Sequence, residues 1–285
     1  MYESIINYIN YLKQECGLSV TLHPTENENV IYPSDLILFN IHENPYCLLV
    51  KTSQEAQDHC IECQAKVAGR AKQGSYSGGC YAGVREYVYP IRSGDRDAGS
   101  ITGFISVSGY RTEEHLSYVK RMASKYMFSL PELESAYSSL RTAPAKEYVD
   151  TLVEPLIQML ELAYIRTDDE ITVEETLISR ILRYVRRNYH RDITLDELCE
   201  EFYCTKSHIC HIFKAETGTT LFNYLNGLKV ESAKKLLSNS GLNITQISQT
   251  LGFKSSSYFG KVFKELTGMS PLKYVHTARC NASLW

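Results

Sequence analysis

One short phrase occurs twice near the C-terminus of this 285-residue chain. Residues 213–218 read FKAETG, and residues 263–268, 50 positions later, read FKELTG. Apolar residues ahead of the two phrases correspond in pairs at a separation of 49, namely Leu195 with Ile244, Leu198 with Ile247 and Phe202 with Leu251. Similarity at a fixed separation is the mark of a structural repeat. The C-terminal part therefore contains two copies of one supersecondary unit.

Each copy has the pattern of two short helices joined by a turn. Apolar residues at i, i+3 and i+7 behind a capping residue predict the first helix, and another capping residue opens the second. The expected caps are Thr194 and Thr205 in the first copy, and Asn243 or Thr245 and then Ser255 in the second. Gly218 and Gly268 end the second helices, because glycine adopts the left-handed conformation of a helix C-cap. Both copies are therefore predicted to be helix-turn-helix units.

The second helix of each copy has one apolar and one polar face. Ile209, Ile212 and Phe213 pack inward in the first copy, so small and basic residues lie on its free face. A slim helix that offers hydrogen-bond donors fits the major groove of DNA, which is about 12 Å wide. The residues predicted to face DNA are Thr205, Lys206, Ser207, Cys210, His211 and Lys214 in the first copy, and Ser255, Ser256, Ser257, Gly260, Lys261 and Lys264 in the second.

Residues 219–241, between the copies, have the pattern of one long helix. Such a helix would hold the two reading helices at a fixed separation, so that one monomer can address successive major grooves about 34 Å apart. Residues 172–285 contain 15 Lys or Arg and 10 Asp or Glu, a balance of +5, within a chain whose net charge is −3. An excess this small permits a polyanionic partner but does not identify one.

Residues 193–275 resemble the DNA-binding domain of the AraC/XylS family of bacterial transcription regulators. The segments that carry the resemblance are FKAETGTTLFNYLNGLKVESAKKLL, ITQISQTLGF, SYFGKVFKELTGMSP and the final KY. The resemblance implies an all-α domain with two helix-turn-helix units that binds double-stranded promoter DNA, and RNA polymerase is an expected partner. Cys210 and His211 stand where family members often have Arg or Gln, and Tyr203 and Cys204 replace a turn that usually contains glycine. The operator sequence therefore does not follow from the resemblance.

The segment CTKSHICH has a second interpretation as a metal site. Cys204, His208 and His211 cluster around one helical turn, but no second ligand pair with zinc-finger spacing follows them. The repeat accounts for the same positions as helix faces, and we favour that interpretation.

The N-terminal half has the pattern of an α+β sensor-like domain. The predicted elements are a helix at 2–15, a strand at 18–23, a loop region to about 52, a helix at 53–73, strands near 79–92 and 99–109 joined by the turn SGDRD, and a helix from about 112. The segments NPYCLLVKTSQEAQDHCIEC and GGCYAGVREYVYPIRSGDRDAGSITGFISVSGY resemble the PocR sensory domain, a PAS/GAF-like module of bacterial regulators of small-molecule catabolism. Tyr81 and Val84 stand where that family has His and Leu.

The resemblance implies that a small-molecule effector binds the N-terminal domain. Tyrosines crowd the segment beside Cys80, and aromatic walls with a few polar tips are the usual lining of a small-ligand site. Tyr87 and Tyr89 also suit a purely structural role, since alternate residues cover one face of a strand. The residues predicted to bind the ligand are Tyr46, Cys47, Tyr76, Cys80, Tyr81, Arg85 and Tyr87.

Four cysteines of the same segment have two interpretations. Cys60 and Cys63 form a C-x-x-C pair on one helix face, so with Cys47 and Cys80 they are candidates for a metal site or a redox-active pair. Cysteine is also among the most buried residue types, and a single C-x-x-C is a modest signal. We therefore favour buried thiols near a pocket and expect no metal and no cofactor.

An enzyme is the alternative from a different functional class. Cys80 would act as the nucleophile, with His59 or Glu86 as its base. No oxyanion-hole phrase, metal signature or phosphate-binding loop accompanies these residues, so we do not expect catalysis.

Three segments are predicted along the chain: a sensory domain at 1–140, a helical linker at 141–190 and a DNA-binding domain at 191–280. The linker helix near 146–165 has apolar residues spaced like a and d positions, namely Val149, Leu152, Leu156, Met159 and Ala163, and Pro155 is expected to bend it or mark its start. This stripe suits packing against the sensor or, alternatively, a homodimer seam. A second linker helix is expected at about 171–189.

The N-terminus lacks the basic and continuous apolar regions of a signal peptide, and no apolar run reaches the ~18 residues of a membrane span. Nine cysteines, an odd number, fit reduced thiols better than a disulfide framework. The sequence therefore predicts a cytoplasmic, ligand-responsive transcription regulator without a membrane partner. Two alternatives stay open: a metal- or redox-sensing regulator, and a constitutive DNA-binding protein whose N-terminal half only dimerises.

Overall fold

A computed structural model describes residues 2–24, 36, 38–92, 101–112, 115–168, 176–239 and 242–282 of the chain. Two compact units divide it, Met1–Thr172 and Val173–Trp285. The first combines helices with an antiparallel sheet, and the second consists of helices. The predicted fold class, an α+β domain followed by an all-α domain, is therefore confirmed. None of the helices within the described ranges is long and apolar enough to cross a membrane.

The N-terminal unit is built around one sheet. Its elements are, in chain order, α1 (Tyr2–Gln14), β1 (Ser19–Pro24), α2 (Pro45–Val50), α3 (Gln54–Ala71), β2 (Tyr76–Gly79), β3 (Val84–Ile91), β4 (Gly103–Arg111), α4 (His115–Tyr126), α5 (Leu130–Ser138), β5 (Arg141–Thr142) and α6 (Lys146–Asp168). The sheet has the order β1-β4-β3-β2 with antiparallel neighbours, and β5 pairs parallel to β4. The predicted turn SGDRD lies outside the described residues.

Helix α2 corrects the prediction of a loop region up to residue 52. The Asn44 side chain accepts a hydrogen bond from the Cys47 backbone N–H at 2.8 Å, and Pro45 follows at the start of the helix. An asparagine cap and an N-terminal proline both favour helix initiation. The helix is only six residues long, and Tyr46 through Val50 are buried, so packing supplies the stability that its length does not.

Tyrosines of β3 hold α6 against one face of the sheet. The Tyr87 hydroxyl donates to the Pro144 carbonyl at 2.5 Å, and the Tyr89 hydroxyl donates to Asp150 Oδ1 at 2.7 Å. Of the predicted apolar stripe of α6, Val149, Leu156 and Ala163 are buried, whereas Leu152 and Met159 are half-buried. Val153 and Leu160 complete the buried face, and α6 packs within the N-terminal unit. Pro155 lies inside the helix and marks no start.

The C-terminal unit contains seven helices within the described residues. They are α7 (Leu177–Asn188), α8 (Leu195–Phe202), α9 (Lys206–Thr217), α10 (Leu221–Asn239), α11 (Ile244–Thr250), α12 (Ser256–Thr267) and α13 (Pro271–Ala282). The side chains of the predicted caps Thr194, Thr205, Asn243 and Ser255 each accept a hydrogen bond from the third backbone N–H of the helix that follows. Asn243, and not Thr245, caps α11. Helix α10 is the predicted long helix between the copies.

The repeated phrase ends each reading helix in the same way. Thr217 Oγ1 lies 2.7 Å from the Phe213 carbonyl and 3.1 Å from the Thr219 carbonyl, and Gly218 follows with a φ of 70°. In the second copy, Thr267 Oγ1 lies 2.7 Å from the Phe263 carbonyl, and Gly268 has a φ of 78°. The threonine hydroxyl therefore stabilises the last helical turn by a hydrogen bond, and the glycine ends the helix in a left-handed conformation.

The repeat also extends into a third helix, which the sequence analysis missed. Phe213 packs edge-on against Tyr224 of α10, with ring centroids 5.5 Å apart. Phe263 packs against Tyr274 of α13 at the same distance. Both tyrosines follow their phenylalanine by eleven residues. Each copy is thus a three-helix unit, α8–α10 and α11–α13, with α10 also serving as the connection.

The turn between the first two helices differs between the copies. Tyr203 adopts a φ of 52°, and Gly252 at the matching position adopts a φ of 62°. A left-handed conformation costs a residue with a side chain roughly 1–2 kcal/mol. Tyr203 is 96% exposed, so its side chain gains no burial in return. A Cβ atom on Gly252 would lie 2.5 Å from the carbonyl carbon of Arg191, so glycine is required in the second copy.

We predict that Tyr203→Gly stabilises the C-terminal unit by up to about 1 kcal/mol, because relief of the left-handed strain exceeds the entropy that glycine adds to the unfolded chain. Gly252→Ala should destabilise the unit, since its methyl group meets the Arg191 backbone. Urea unfolding of both full-length variants, followed by helical circular dichroism, measures the two effects. A Tyr203→Gly protein that is less stable than wild type would contradict the account.

Candidate nucleic-acid interface and ligand cavity

Helix α9 presents an exposed polar face. Ile209 and Phe213 are fully buried beneath it. The exposed side chains are Ser207, Cys210, His211 and Lys214. Two other predicted DNA-facing residues have structural partners: the Thr205 hydroxyl caps the helix, and Lys206 Nζ forms an ion pair with Asp196 at 2.5 Å. Because that pair is solvent-exposed, it contributes little stability and leaves Lys206 available to a phosphate.

Helix α12 presents the matching face in the second copy. Phe259, Val262 and Phe263 are buried. The predicted DNA-facing residues Ser257, Lys261 and Lys264 are exposed, and Ser256 and Gly260 are half-buried. Ser255 is the N-cap, and Ser256 Oγ lies 3.3 Å from Thr245 Oγ1 of α11, so this hydroxyl also contacts the preceding helix. Lys261 has Glu265 as its nearest ion-pair partner, at 4.0 Å.

The packing and backbone conformation of α12 do not require glycine at position 260. A Cβ atom built on it would meet no atom within 4 Å, and its φ is not in the left-handed region. Glycine in the middle of a helix costs roughly 0.5–1 kcal/mol relative to alanine. The missing side chain therefore leaves the backbone of α12 open to close approach from outside.

A small cavity of about 50 Å³, part of it open to solvent, lies in the N-terminal unit. It lies on the sheet face opposite α6, between the strands and helices α2 and α3. The lining is formed by His23, His42, Cys47, Val50, Lys51, Cys60, Cys63, Gln64, Val67, Cys80, Tyr81, Ala82, Glu86 and Phe104. Aliphatic, aromatic and thiol side chains surround a few polar groups, which is the usual character of a small-molecule site.

Glu86 is the buried carboxyl group of this cavity. Its side chain lies on β3 next to a register shift in the pairing with β4, and the residue is 8% exposed. Burial raises the pKa of Glu86 to about 7. His42 lies nearby, where burial, the Lys51 ammonium and His23 hold its pKa well below the ordinary value, so its ring is neutral. His42 Nε2 is 2.8 Å from Ser106 Oγ.

The four cysteines of the cavity are protonated thiols. Burial raises the pKa of Cys47 to about 12, and it also raises the pKa values of Cys60, Cys63 and Cys80. Metal binding and nucleophilic attack require the thiolate. Among the described residues, no group of three or more His, Cys, Asp or Glu side chains has an arrangement that would hold a metal ion. The segment CTKSHICH (204–211), the other candidate metal site, therefore has no such arrangement either.

Only some of the predicted ligand-binding residues line the cavity. Cys47, Cys80 and Tyr81 do so. The remaining four residues, Tyr46, Tyr76, Arg85 and Tyr87, lie outside its lining. Tyr46 is fully buried and donates to the Ala82 carbonyl, Arg85 is exposed, and Tyr87 faces α6. Tyr87 and Tyr89 therefore lie on the sheet face that packs against α6, as their structural interpretation requires.

The residues that sequence reasoning missed come from distant segments. His23, His42 and Phe104 belong to three different parts of the chain, and antiparallel pairing of β1 with β4 places His23 opposite Phe104. Their rings stack with centroids 4.5 Å apart. Alternation along β3 was the available signal for Glu86, because it puts Glu86 on the face opposite Tyr87.

His59, the proposed base of the enzyme alternative, has another partner. Its Nδ1 lies 2.6 Å from the Tyr126 hydroxyl, and its ring lies 4.4 Å from the ring of Tyr81. His59 is not part of the cavity lining that contains Cys80. Glu86, the other proposed base, lines the cavity together with Cys80.

We predict that Glu86→Gln stabilises the protein at pH 8 by about 3 kcal/mol and has little effect below pH 4.5. The folded-state pKa of about 7 exceeds the ordinary 4.5, so the wild-type protein loses stability as the pH rises between these values, at about 1.4 kcal/mol per unit. Urea unfolding across this range measures the difference, with the exposed Glu147→Gln as control. An equal gain at both ends of the range would contradict the prediction.

Two family models match the chain. A model described as the sensory domain found in PocR matches residues 3–163, which is 161 of 285 residues. A model of a helix-turn-helix domain matches residues 198–277. The first match covers the whole cavity and all of the sheet, and the second covers both reading helices.

Known relatives match about half of this chain. The chain is 33% identical over 140 residues to the HTH-type transcriptional activator RhaR of Salmonella schwarzengrund, covering 49% of this chain and 50% of that protein. RhaR of Salmonella dublin is 32% identical over the same length. The chain thus spans about half the length of the curated relatives it matches. The C-terminal domain of AraT, a response regulator from Geobacillus stearothermophilus, is 27% identical, with 35% of this chain and 84% of that chain covered and a TM-score of 0.34.

Both resemblances noted in the sequence are confirmed by these matches. The N-terminal match extends to residue 163, which lies within α6. The chain belongs to the family of proteins that carry the sensory domain found in PocR, here followed by an AraC-type helix-turn-helix domain.

Proposed function

We propose that this chain is a ligand-responsive transcription regulator that binds promoter DNA in the major groove through both helix-turn-helix units. The pair of exposed polar faces on α9 and α12 carries the proposal, because a hydroxyl N-cap and a C-terminal glycine bound the helix in both copies. The similarity to RhaR, named a transcriptional activator, supports activation as the outcome of binding. A cytoplasmic homodimer that acts together with RNA polymerase completes the proposed function.

The small side chains of the reading helices support close docking. Ser207 and Ser257 offer short donors, and Gly260 offers bare backbone, so both helices can lie deep in a groove. His211 and Lys261 are the larger donors, and they occupy corresponding positions on the two faces. The long helix α10 joins the copies, so the helices are expected to read successive grooves of one DNA face.

The N-terminal cavity supports the sensing half of the proposal. An effector changes DNA affinity only if it binds two arrangements of the protein unequally, and such couplings typically amount to 1–3 kcal/mol. The raised thiol pKa values favour a plain ligand pocket over a metal- or redox-responsive one. A regulator that binds DNA constitutively would show the same DNA affinity whatever occupies the cavity.

We predict that His211→Ala and Lys261→Ala each weaken specific promoter binding by roughly 1–3 kcal/mol, because each removes a donor from a free helix face. The two residues belong to different copies. A hydroxyl-radical footprint should therefore show each variant losing protection in a different groove, about one helical turn apart.

The matched control is Lys66→Ala, which removes one exposed positive charge from α3 of the sensory domain. Its promoter affinity should equal that of wild type, as should the thermal stability of all three variants. Unchanged binding by both reading-helix variants would reject the assignment of these faces, and a loss confined to one groove would assign DNA reading to one copy.

We further predict opposite effects of Gly260→Ala on stability and on DNA binding. Alanine should stabilise α12 by about 0.5–1 kcal/mol, since its methyl group meets no atom of the protein. The same methyl group should weaken promoter binding by about 1 kcal/mol or more, if the α12 backbone lies against the DNA. Thermal denaturation and fluorescence anisotropy on one preparation measure both. A variant that binds DNA as tightly as wild type would exclude close approach at this position.

A further inference from the structure

The Glu86 carboxyl group is buried in the cavity without a hydrogen-bond donor among the described residues. It is 8% exposed and lines the cavity, while the neighbouring strand positions hold Tyr87 on the opposite face. Removing a carboxylate from water is costly unless a cation or several donors replace the water. Because Glu86 borders a cavity, we expect a bound ligand to be the partner of its carboxyl group.

Lys51 is the positive charge of the cavity lining, but no ion pair joins it to Glu86 among the described residues. The charge of Glu86 acts on Tyr76 of β2 and on four thiols: Cys47 of α2, Cys60 and Cys63 of α3, and Cys80 in the turn before β3. From the remaining elements come His42, which is neutral, and His23 of β1. The Lys51 ammonium acts on Cys47, Cys60 and His42. The pKa of Glu86 itself responds to burial alone.

A second buried group next to Glu86 also has no hydrogen-bond partner in the described part of the chain. Ser108 of β4 is the register partner of Glu86, and its Oγ is fully buried. Ser108 is absent from the cavity lining, so this hydroxyl is not in contact with a ligand in the cavity. A primary ammonium has three donors, and more than one of them can reach the two carboxylate oxygens of Glu86.

We infer that the cavity binds a small primary amine in its protonated form, with the ammonium group against Glu86. The inference deepens the proposed sensory function and rests on it. Val50, Val67 and Phe104 provide apolar walls for the carbon chain, and four protonated thiols add uncharged surface. Among the described residues, Lys51 is the one other lining residue with a full charge, and the ammonium of the ligand is expected to lie away from it, against Glu86. An aromatic ring such as Phe104 adds a favourable face for a cation. A carboxylate paired with an ammonium in a low-dielectric site gives a strong, charge-assisted hydrogen bond.

The test compares n-propylamine with 1-propanol, which has nearly the same shape and no charge. Isothermal titration of the full-length protein at pH 8 uses wild type, Glu86→Gln and the exposed Glu147→Gln as control. We expect propylamine to bind wild type and Glu147→Gln equally, and at least tenfold more weakly to Glu86→Gln. We expect 1-propanol to bind wild type at least tenfold more weakly than the amine.

A pH titration of the wild-type protein tests the same contact without a substitution. Propylamine stays protonated between pH 5 and pH 8, whereas the Glu86 carboxyl, with its pKa of about 7, becomes neutral as the pH falls. Amine affinity should therefore decrease by up to tenfold per unit below pH 7 and stay constant above it. A pH-independent affinity would assign the amine to another place.

The outcomes separate this inference from the sensory function. Equal binding of propylamine by wild type and Glu86→Gln, or no binding of propylamine by wild type, overturns the amine assignment. If 1-propanol nevertheless changes promoter affinity, the sensory function stands without it. Propylamine that binds as expected but leaves promoter affinity unchanged supports the amine site and contradicts ligand-responsive DNA binding.

Discussion

The left-handed turn between the first two helices of each copy fixes where the reading helix points. In the second copy this turn is enclosed: Gly252 lies against the Arg191 backbone, and Lys229 Nζ donates to the Gly252 carbonyl at 2.7 Å. Lys229 is buried in α10, and burial lowers its pKa to about 8, so a charged side chain is held inside the unit to fasten this carbonyl. This contact fixes the turn immediately before α12.

Side chains of β3 alternate between the two faces of the sensory-domain sheet, and the two faces have different roles. Tyr87 and Tyr89 point to one face and are tied to the segment before α6 and to α6 itself. Glu86 points to the other face, where its carboxyl group has no hydrogen bond to another described residue. Neighbouring residues of one strand therefore close one face as core and leave the other as a cavity. This division explains why a strand rich in tyrosine need not build its ligand site from tyrosine.

Local patterns predicted the helices of the C-terminal unit well, because caps such as Thr205 and glycines such as Gly218 act over three or four residues. The short helix α2 was missed although Asn44 and Pro45 are ordinary start signals, since six residues are too few for a periodic pattern. The cavity was only partly predictable. His23 and Phe104 meet through strand pairing over about 80 residues of sequence, and such register is not legible from one sequence.

The energetics of Glu86 link the cavity to regulation. A shift of its pKa from 4.5 to about 7 corresponds to about 3 kcal/mol of unfavourable burial when the group is ionised. That amount is comparable to the 1–3 kcal/mol by which allosteric ligands usually bias their proteins. A cation that neutralises the carboxylate recovers part of it, but only the part that differs between two arrangements of the protein can alter DNA affinity. Regulation through Glu86 therefore requires that the surroundings of its carboxyl group differ between those two arrangements.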